Sequence, residues 1–136
     1  EEKPIKIFNN GLMKRDFTFI DDIVEALIRC CEKPATVDKN FDKSLPNPGT
    51  SFAPHRIFNI GNNKTVELMY FIKLMEKYLN KEAIKDFQPI QPGDIVSTHS
   101  DNKLLKDWIN FSPKVSIEEG VNIFVNWFRK YHSQNF

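Results

Sequence analysis

The chain has 136 residues, of which 40% are hydrophobic and 27% charged, the balance of one soluble globular domain with a real core. A net charge of +1 provides no long-range field to gather nucleic acid or an acidic membrane. No apolar run approaches the ~20 residues of a membrane span, and the polar start Glu1-Glu2-Lys3-Pro4 lacks a signal-peptide pattern. In chain order, Pro4-Ile5-Lys6-Ile7-Phe8 predicts a short strand, and Asn9-Asn10-Gly11 a turn. A second strand through Arg15-Asp16-Phe17-Thr18-Phe19 has the period-2 alternation that would pair it with the first as a hairpin. Asp21 and Asp22 then offer carboxylates at a helix start, and Ile23, Ala26, Leu27 and Cys30 follow at helical spacing. Pro34 ends that 21–33 helix. Cys30 and Cys31 are adjacent and poorly placed to pair with each other, so they are expected as small core residues in a reduced, cytoplasmic setting.

Residues 35–55 form a long proline-rich loop, which in a compact domain is functional, a lid or disordered. Residues 56–61 predict a short, buried, parallel strand. Thr65 is a candidate N-cap for a helix whose face is Leu68, Phe71, Ile72, Met75, Tyr78 and Leu79. Residues 83–91 predict one more strand through Ile84, Phe87 and Ile90, followed by the tight turn Gln91-Pro92-Gly93-Asp94. Ser100 or Asp101 is expected to cap a short helix through Leu104, Leu105 and Trp108. Ser116 and Glu119 form a capping box for a last helix with Ile117, Val121, Phe124, Val125, Phe128 and Tyr131 on one face. Residues 133–136 are expected to fray. Strand–helix alternation with few short strands and about four helices is an α/β pattern.

The residues of an independent catalyst are missing. Five glycines (Gly11, Gly49, Gly61, Gly93, Gly120) make no phosphate loop. His55, His99 and His132 have no metal-ligand spacing, so no metal is expected. There is no Gly-x-Ser-x-Gly, and no tyrosine is followed four residues later by lysine. Binding groups remain. Arg15 is either a solvated charge at a strand end or a donor of paired hydrogen bonds to a phosphate. Asp94 either closes its turn or accepts from the vicinal hydroxyls of a ribose. Gln91 either donates to a phosphate oxygen or lies on the surface, and the backbone near Phe8 is a further candidate.

Lys14-Arg15-Asp16-Phe17-Thr18-Phe19-Ile20-Asp21-Asp22 resembles the Arg-Asp-Phe/Tyr segment in the C-terminal half of extended short-chain dehydrogenases/reductases that act on nucleotide sugars. Thr50 through Asn62, Val66-Glu67-Leu68-Met69, Gln91-Pro92-Gly93-Asp94 and Ile117-Glu118-Glu119-Gly120 continue it in the same order and resemble the UDP-glucuronate 4-epimerases. The resemblance covers almost the whole chain. It implies one C-terminal nucleotide-sugar-binding region over 1–136, without the Rossmann half that holds NAD and carries the Tyr-x-x-x-Lys pair. By the same resemblance Arg15 clamps the diphosphate of UDP, Asp94 accepts from the uridine ribose, and the Phe8 backbone holds the uracil edge. Gln91 stands where several relatives have arginine, and Asp22 becomes a helix cap rather than a catalyst. The parent enzyme would interconvert UDP-glucuronate and UDP-galacturonate for polysaccharide synthesis and form a homodimer. The isolated chain would be inactive and would self-associate through residues 57–60 or the 21–33 helix. Another nucleotide-sugar epimerase or dehydratase, or a non-catalytic nucleotide-sugar-binding module, are the competing readings.

Overall fold

A computed structural model describes residues 3–133, with Ser133 described by its backbone alone. The architecture is α/β: strands β1 (Ile5–Ile7), β2 (Lys14–Asp16), β3 (Thr65–Glu67) and β4 (Lys85–Phe87), and helices α1 (Ile20–Glu32), α2 (Leu68–Leu79), α3 (Lys103–Ile109) and α4 (Ile117–Ser133). Two small sheets form. β1 runs parallel to β4, with Ile5 opposite Lys85 and Ile7 opposite Phe87. β2 runs antiparallel to β3, with Lys14 opposite Glu67 and Asp16 opposite Thr65. On its other edge β2 takes a single parallel bridge from Lys14 to Ser97.

The expected hairpin between the first two strands does not form. Asn9 and Asn10 both adopt φ +50° inside a 3-10 turn, Phe8–Gly11. Two successive left-handed residues redirect the chain and deliver β2 to the other sheet. Gly11, at φ +81°, completes the turn, and a Cβ there would lie 2.7 Å from the Met69 sulfur. β2 also stops earlier than the alternation suggests. Phe17 stacks on Phe71 of α2, with ring centroids 4.5 Å apart. Phe19 lies so close to α4 that a Cβ on Gly120 would sit 3.1 Å from its ring. Both aromatic rings serve interhelical packing, and their backbone leaves the ladder.

The helices pack in two pairs with a core under each. Ala26 of α1 and Leu105, Ile109 and Phe111 at α3 form one cluster, with Phe58, Ile60 and Trp108 against it. Leu74 of α2 with Val121 and Val125 of α4 forms the other, flanked by Phe71, Met75 and Tyr78. Leu74 lies outside the stripe expected for α2, because the helix turns its 71/74/75/78 side toward α4. On α4 the expected single face divides. Val121 and Val125 are buried, whereas Phe124, Phe128 and Tyr131 remain 40–53% exposed. The end of the expected frayed tail, residues 134–136, lies outside the described residues.

Residues 56–61 are not a strand. Apart from one bridge between Thr50 and Arg56 they have no ladder partner, and Ile57 is exposed. Phe58 and Ile60 insert into the α1–α3 cluster instead. The 35–55 loop closes on itself. Asp38 N–H donates to Ser51 O at 2.9 Å, Ile57 N–H to Gly49 O at 3.0 Å, and Phe41 meets Phe52 at 5.8 Å. The Arg56 guanidinium lies 5.2 Å over the Trp108 ring and moors the loop to α3.

Several caps differ from expectation. Thr65 belongs to β3, and α2 starts at Leu68 without a side-chain cap. α3 starts after Asn102 rather than after Ser100 or Asp101, although Asp101 Oδ1 accepts the Lys103 N–H at 2.9 Å. Half of the Ser116–Glu119 box is present, with the Glu119 N–H on Ser116 Oγ at 3.1 Å. Asp22 is not the cap of its own helix. It is buried, and its Oδ2 accepts the N–H groups of Lys114 and Val115 at 3.0 and 2.9 Å, fixing the entry to α4. Cys30 packs against the α1–α3 core, where burial and then Cys31 push its thiol up from the ordinary value; Cys31 is exposed, against expectation.

The 83–91 strand is reduced to β4, whose approach is held by α2. Glu76 Oε1 accepts from Lys85 Nζ and, at 2.9 Å, from the Ala83 N–H. These bonds, the lysine's first, hold the Glu76 carboxyl below its ordinary value. A depressed carboxyl contributes stability that is full above its unfolded value, about 4.3, and is lost as pH falls through the lower folded value. Glu76→Gln is therefore expected to lower stability by about 1 kcal/mol at pH 7. The gap to wild type should narrow toward pH 3, as read from urea midpoints at both pH values.

Candidate functional site

β2 places Arg15 and Asp16 on opposite sides of one strand, as side chains of consecutive strand residues must be. On one side Arg15 reaches the segment after β4. Its Nη1 donates to Lys14 O at 2.9 Å and Val96 O at 3.2 Å, and its Nη2 donates to Asp94 Oδ1 at 3.2 Å. The ion pair joins residues 79 apart in sequence, and its side chains are 27% and 30% exposed. Among the described residues, Nε–H and the second Nη2 hydrogen have no protein acceptor, so the fork keeps donors for a ligand oxygen.

Asp94 stands at the end of the tight turn expected from its sequence. Gly93 takes φ +84°, and the Asp94 N–H donates to Gln91 O at 3.1 Å. Asp94 Oδ1 also accepts the Ile95 N–H at 2.8 Å. The backbone N–H of Asp94 closes the turn, while one carboxylate oxygen accepts the Ile95 N–H and pairs with Arg15. Gln91 is exposed and Phe8 half-buried. The Gln91 side chain makes no hydrogen bond with Arg15 or Asp94, its link to Asp94 being the backbone bond of the turn, and among the described residues Phe8 makes none with either. They connect to the pair along the 88–94 segment, since Gln88 N–H donates to Ile7 O and Asn10 N–H to Gln88 O.

On the other side of β2 lies a residue that motif reasoning passed over. Asp16 Oδ1 accepts the Asn62 N–H at 2.9 Å, and its Oδ2 accepts those of Asn63 and Ser100 at 3.1 and 2.9 Å. Beside it Asn102 Oδ1 accepts the Gly61 N–H and the Ser100 hydroxyl, while its amide donates to Gly61 O. Gly61 has no room for a side chain, because a Cβ there would fall 2.3 Å from Ser100 Cβ. The available signal was the alternation itself: if Arg15 faces solvent, Asp16 faces inward and needs donors.

Elsewhere, the Tyr70 hydroxyl donates to Glu118 at 2.7 Å, which raises the tyrosine and lowers the glutamate from their ordinary values. Among the described residues no cluster of three potential metal ligands occurs, and no helix is long and apolar enough to cross a membrane.

Residues 1–61 match the family described as "NAD dependent epimerase/dehydratase family". "Protein CapI" of Staphylococcus aureus is 43% identical over 134 residues, 98% of this chain and 40% of that protein. "Probable UDP-glucuronate 4-epimerase" of Rhizobium meliloti (strain 1021) is 38% identical over 130 residues, 93% of this chain and 37% of that protein. The solved UDP-glucuronic acid 4-epimerase from Bacillus cereus, in complex with UDP-glucuronic acid and NAD, superposes with a TM-score of 0.71 at 25% identity, over 96% of this chain and 36% of that one. The chain therefore spans about 40% of the length of the curated relatives it matches. By sequence and by fold it is similar to part of the UDP-glucuronate 4-epimerases, and its first 61 residues match the NAD dependent epimerase/dehydratase family.

Proposed function

We propose that residues 1–136 form one nucleotide-sugar-binding region of an NAD-dependent epimerase that interconverts UDP-glucuronate and UDP-galacturonate. The observation that supports this most is the pairing of Arg15 with Asp94. A cation able to hold a diphosphate and a carboxylate able to hold a ribose lie 3.2 Å apart, though 79 residues separate them. In this reading Arg15 holds the diphosphate of UDP, Asp94 turns to the ribose hydroxyls, the Phe8 backbone meets the uracil edge, and Gln91 donates to a phosphate oxygen.

The chain's own residues do not fit NAD. Among the described residues no glycine-rich turn links a strand to a helix, and the five glycines stand far apart. We assign NAD and the proton-transfer pair to the larger remainder of the relatives' length. The isolated region is accordingly expected to be inactive and the parent to be a cytoplasmic homodimer. The exposed apolar residues of α1 (Ile20, Val24, Leu27, Ile28) support self-association of the region when alone.

Arg15→Ala in the parent enzyme is expected to weaken UDP binding by about 1.5–3 kcal/mol, the scale of a hydrogen bond to a charged group. Isothermal titration with UDP measures it, and unchanged affinity would remove Arg15 from the site. Turnover of UDP-glucuronate in preference to UDP-glucose by the parent would separate this reading from the broader nucleotide-sugar epimerases and dehydratases.

A further inference from the structure

Thr98 brackets Arg15. Its N–H donates to the carbonyl of Lys14 at 3.2 Å, and its hydroxyl oxygen accepts the N–H of Asp16 at 3.1 Å. One residue thus grips the strand on both sides of the arginine. The preceding residues complete the grip, since Lys14 N–H donates to Val96 O at 2.8 Å and Arg15 Nη1 donates to the same carbonyl at 3.2 Å. β2 is only three residues long, so its ladder with β3 cannot by itself hold the direction of a long side chain. The 94–98 segment is irregular and makes a single bridge to β2. Besides the contacts of Arg15 itself, the Thr98 hydroxyl is a side-chain contact that ties this segment to β2 beside that bridge. Asp94, four residues upstream, is carried by the same segment.

We infer that Thr98 is a positioning residue: by bonding the backbone on either side of Arg15, it sets the distance between the Arg15 guanidinium and the Asp94 carboxylate and so organises the site for a nucleoside diphosphate. This rests on the assignment of Arg15 and Asp94 to UDP above. Thr98 itself does not touch the ligand. Its hydroxyl oxygen is spent on the Asp16 N–H.

The test uses the full-length protein and UDP as the probe. Thr98→Val keeps the shape and removes the acceptor, leaving the part-buried Asp16 N–H unpaired. UDP is expected to bind about 5–10-fold more weakly, the effect of losing one such hydrogen bond. Thr98→Ser restores the acceptor and is expected to stay within about twofold of wild type. NAD affinity, measured on the same preparations below their melting temperatures, should not change. If Thr98→Val does not fold, Thr98→Ala carries the same expectation. A lower melting temperature with unchanged UDP affinity overturns the inference, as does equal weakening for UDP and NAD. Arg15→Ala run in parallel separates the two levels. If Arg15→Ala weakens UDP binding and Thr98→Val does not, only the positioning role fails. If neither variant matters, the assignment of the site fails with it.

Discussion

Asp16→Ala is expected to destabilise the chain by about 3–5 kcal/mol in urea denaturation. Three backbone N–H groups, from Asn62, Asn63 and Ser100, converge on this one carboxylate at 2.9–3.1 Å. Each is a charge-assisted bond, and alanine removes all three acceptors at once. The Asn62 and Ser100 bonds are part-buried, so water replaces them poorly. Asp16→Asn should recover about half of the loss, because one carboxamide oxygen still accepts while the –NH2 meets donors. A cost below about 1 kcal/mol for Asp16→Ala would mean that solvent substitutes for the carboxylate and that the 60–63 and 100–102 segments are held by Asn102 instead.

Leu105→Ala is expected to cost about 2–5 kcal/mol, and Leu104→Ala less than about 0.5 kcal/mol. The two leucines are neighbours on α3, yet Leu105 is 0% exposed and Leu104 is 58% exposed. Leu105 fills the space between Ala26 of α1 and the Ile109–Phe111 end of its own segment, with Phe58 and Ile60 closing over it. Removing its isobutyl group leaves a cavity walled by two helices and a moored loop, none of them free to collapse. Equal urea midpoints for the two variants would refute the placement of the core between α1 and α3.

Local chemistry was legible in the sequence wherever one segment decides its own shape. The 91–94 turn formed as Gln91-Pro92-Gly93-Asp94 dictates, with Gly93 at positive φ. All four helices appeared, and Pro34 and Ser112-Pro113 lie outside them. Partnership between segments was not legible. Nothing in Ile5-Lys6-Ile7 says that it will lie beside Lys85–Phe87 rather than fold back on β2, because a period-2 pattern names a face and not a neighbour. Thr65 carries a good capping hydroxyl, but pairing with Asp16 claims it for β3. On α4, hydrophobicity marked Phe124 and Phe128 as inward, and only the position of α2 shows that Val121 and Val125, with Ile117 against them, fill that contact. At the candidate site, Arg15 and Asp94 were identified as residue types suited to a phosphate and a ribose. Their adjacency, and the Asp16 and Thr98 bonds beneath them, arise from contacts 46–84 residues apart that no local window contains.

Such distances matter when the protein is made. Asp16 leaves the ribosome long before Ser100 exists, and β1 before β4. At the usual 5–20 residues per second, the 84 residues between Asp16 and Ser100 take roughly 4–17 s to synthesise. Within that interval β2 waits for β3 and β1 for β4, and throughout it Asp16 lacks its Ser100 donor. The α1 helix, whose contacts within itself are local, is free to form on a microsecond scale. Nascent chains of this region should therefore gain helix early and protease resistance late, in one step as residues 97–100 emerge. A pause in translation placed between β3 and Asp94 would lengthen the exposure of unpaired strand edges and favour aggregation over folding.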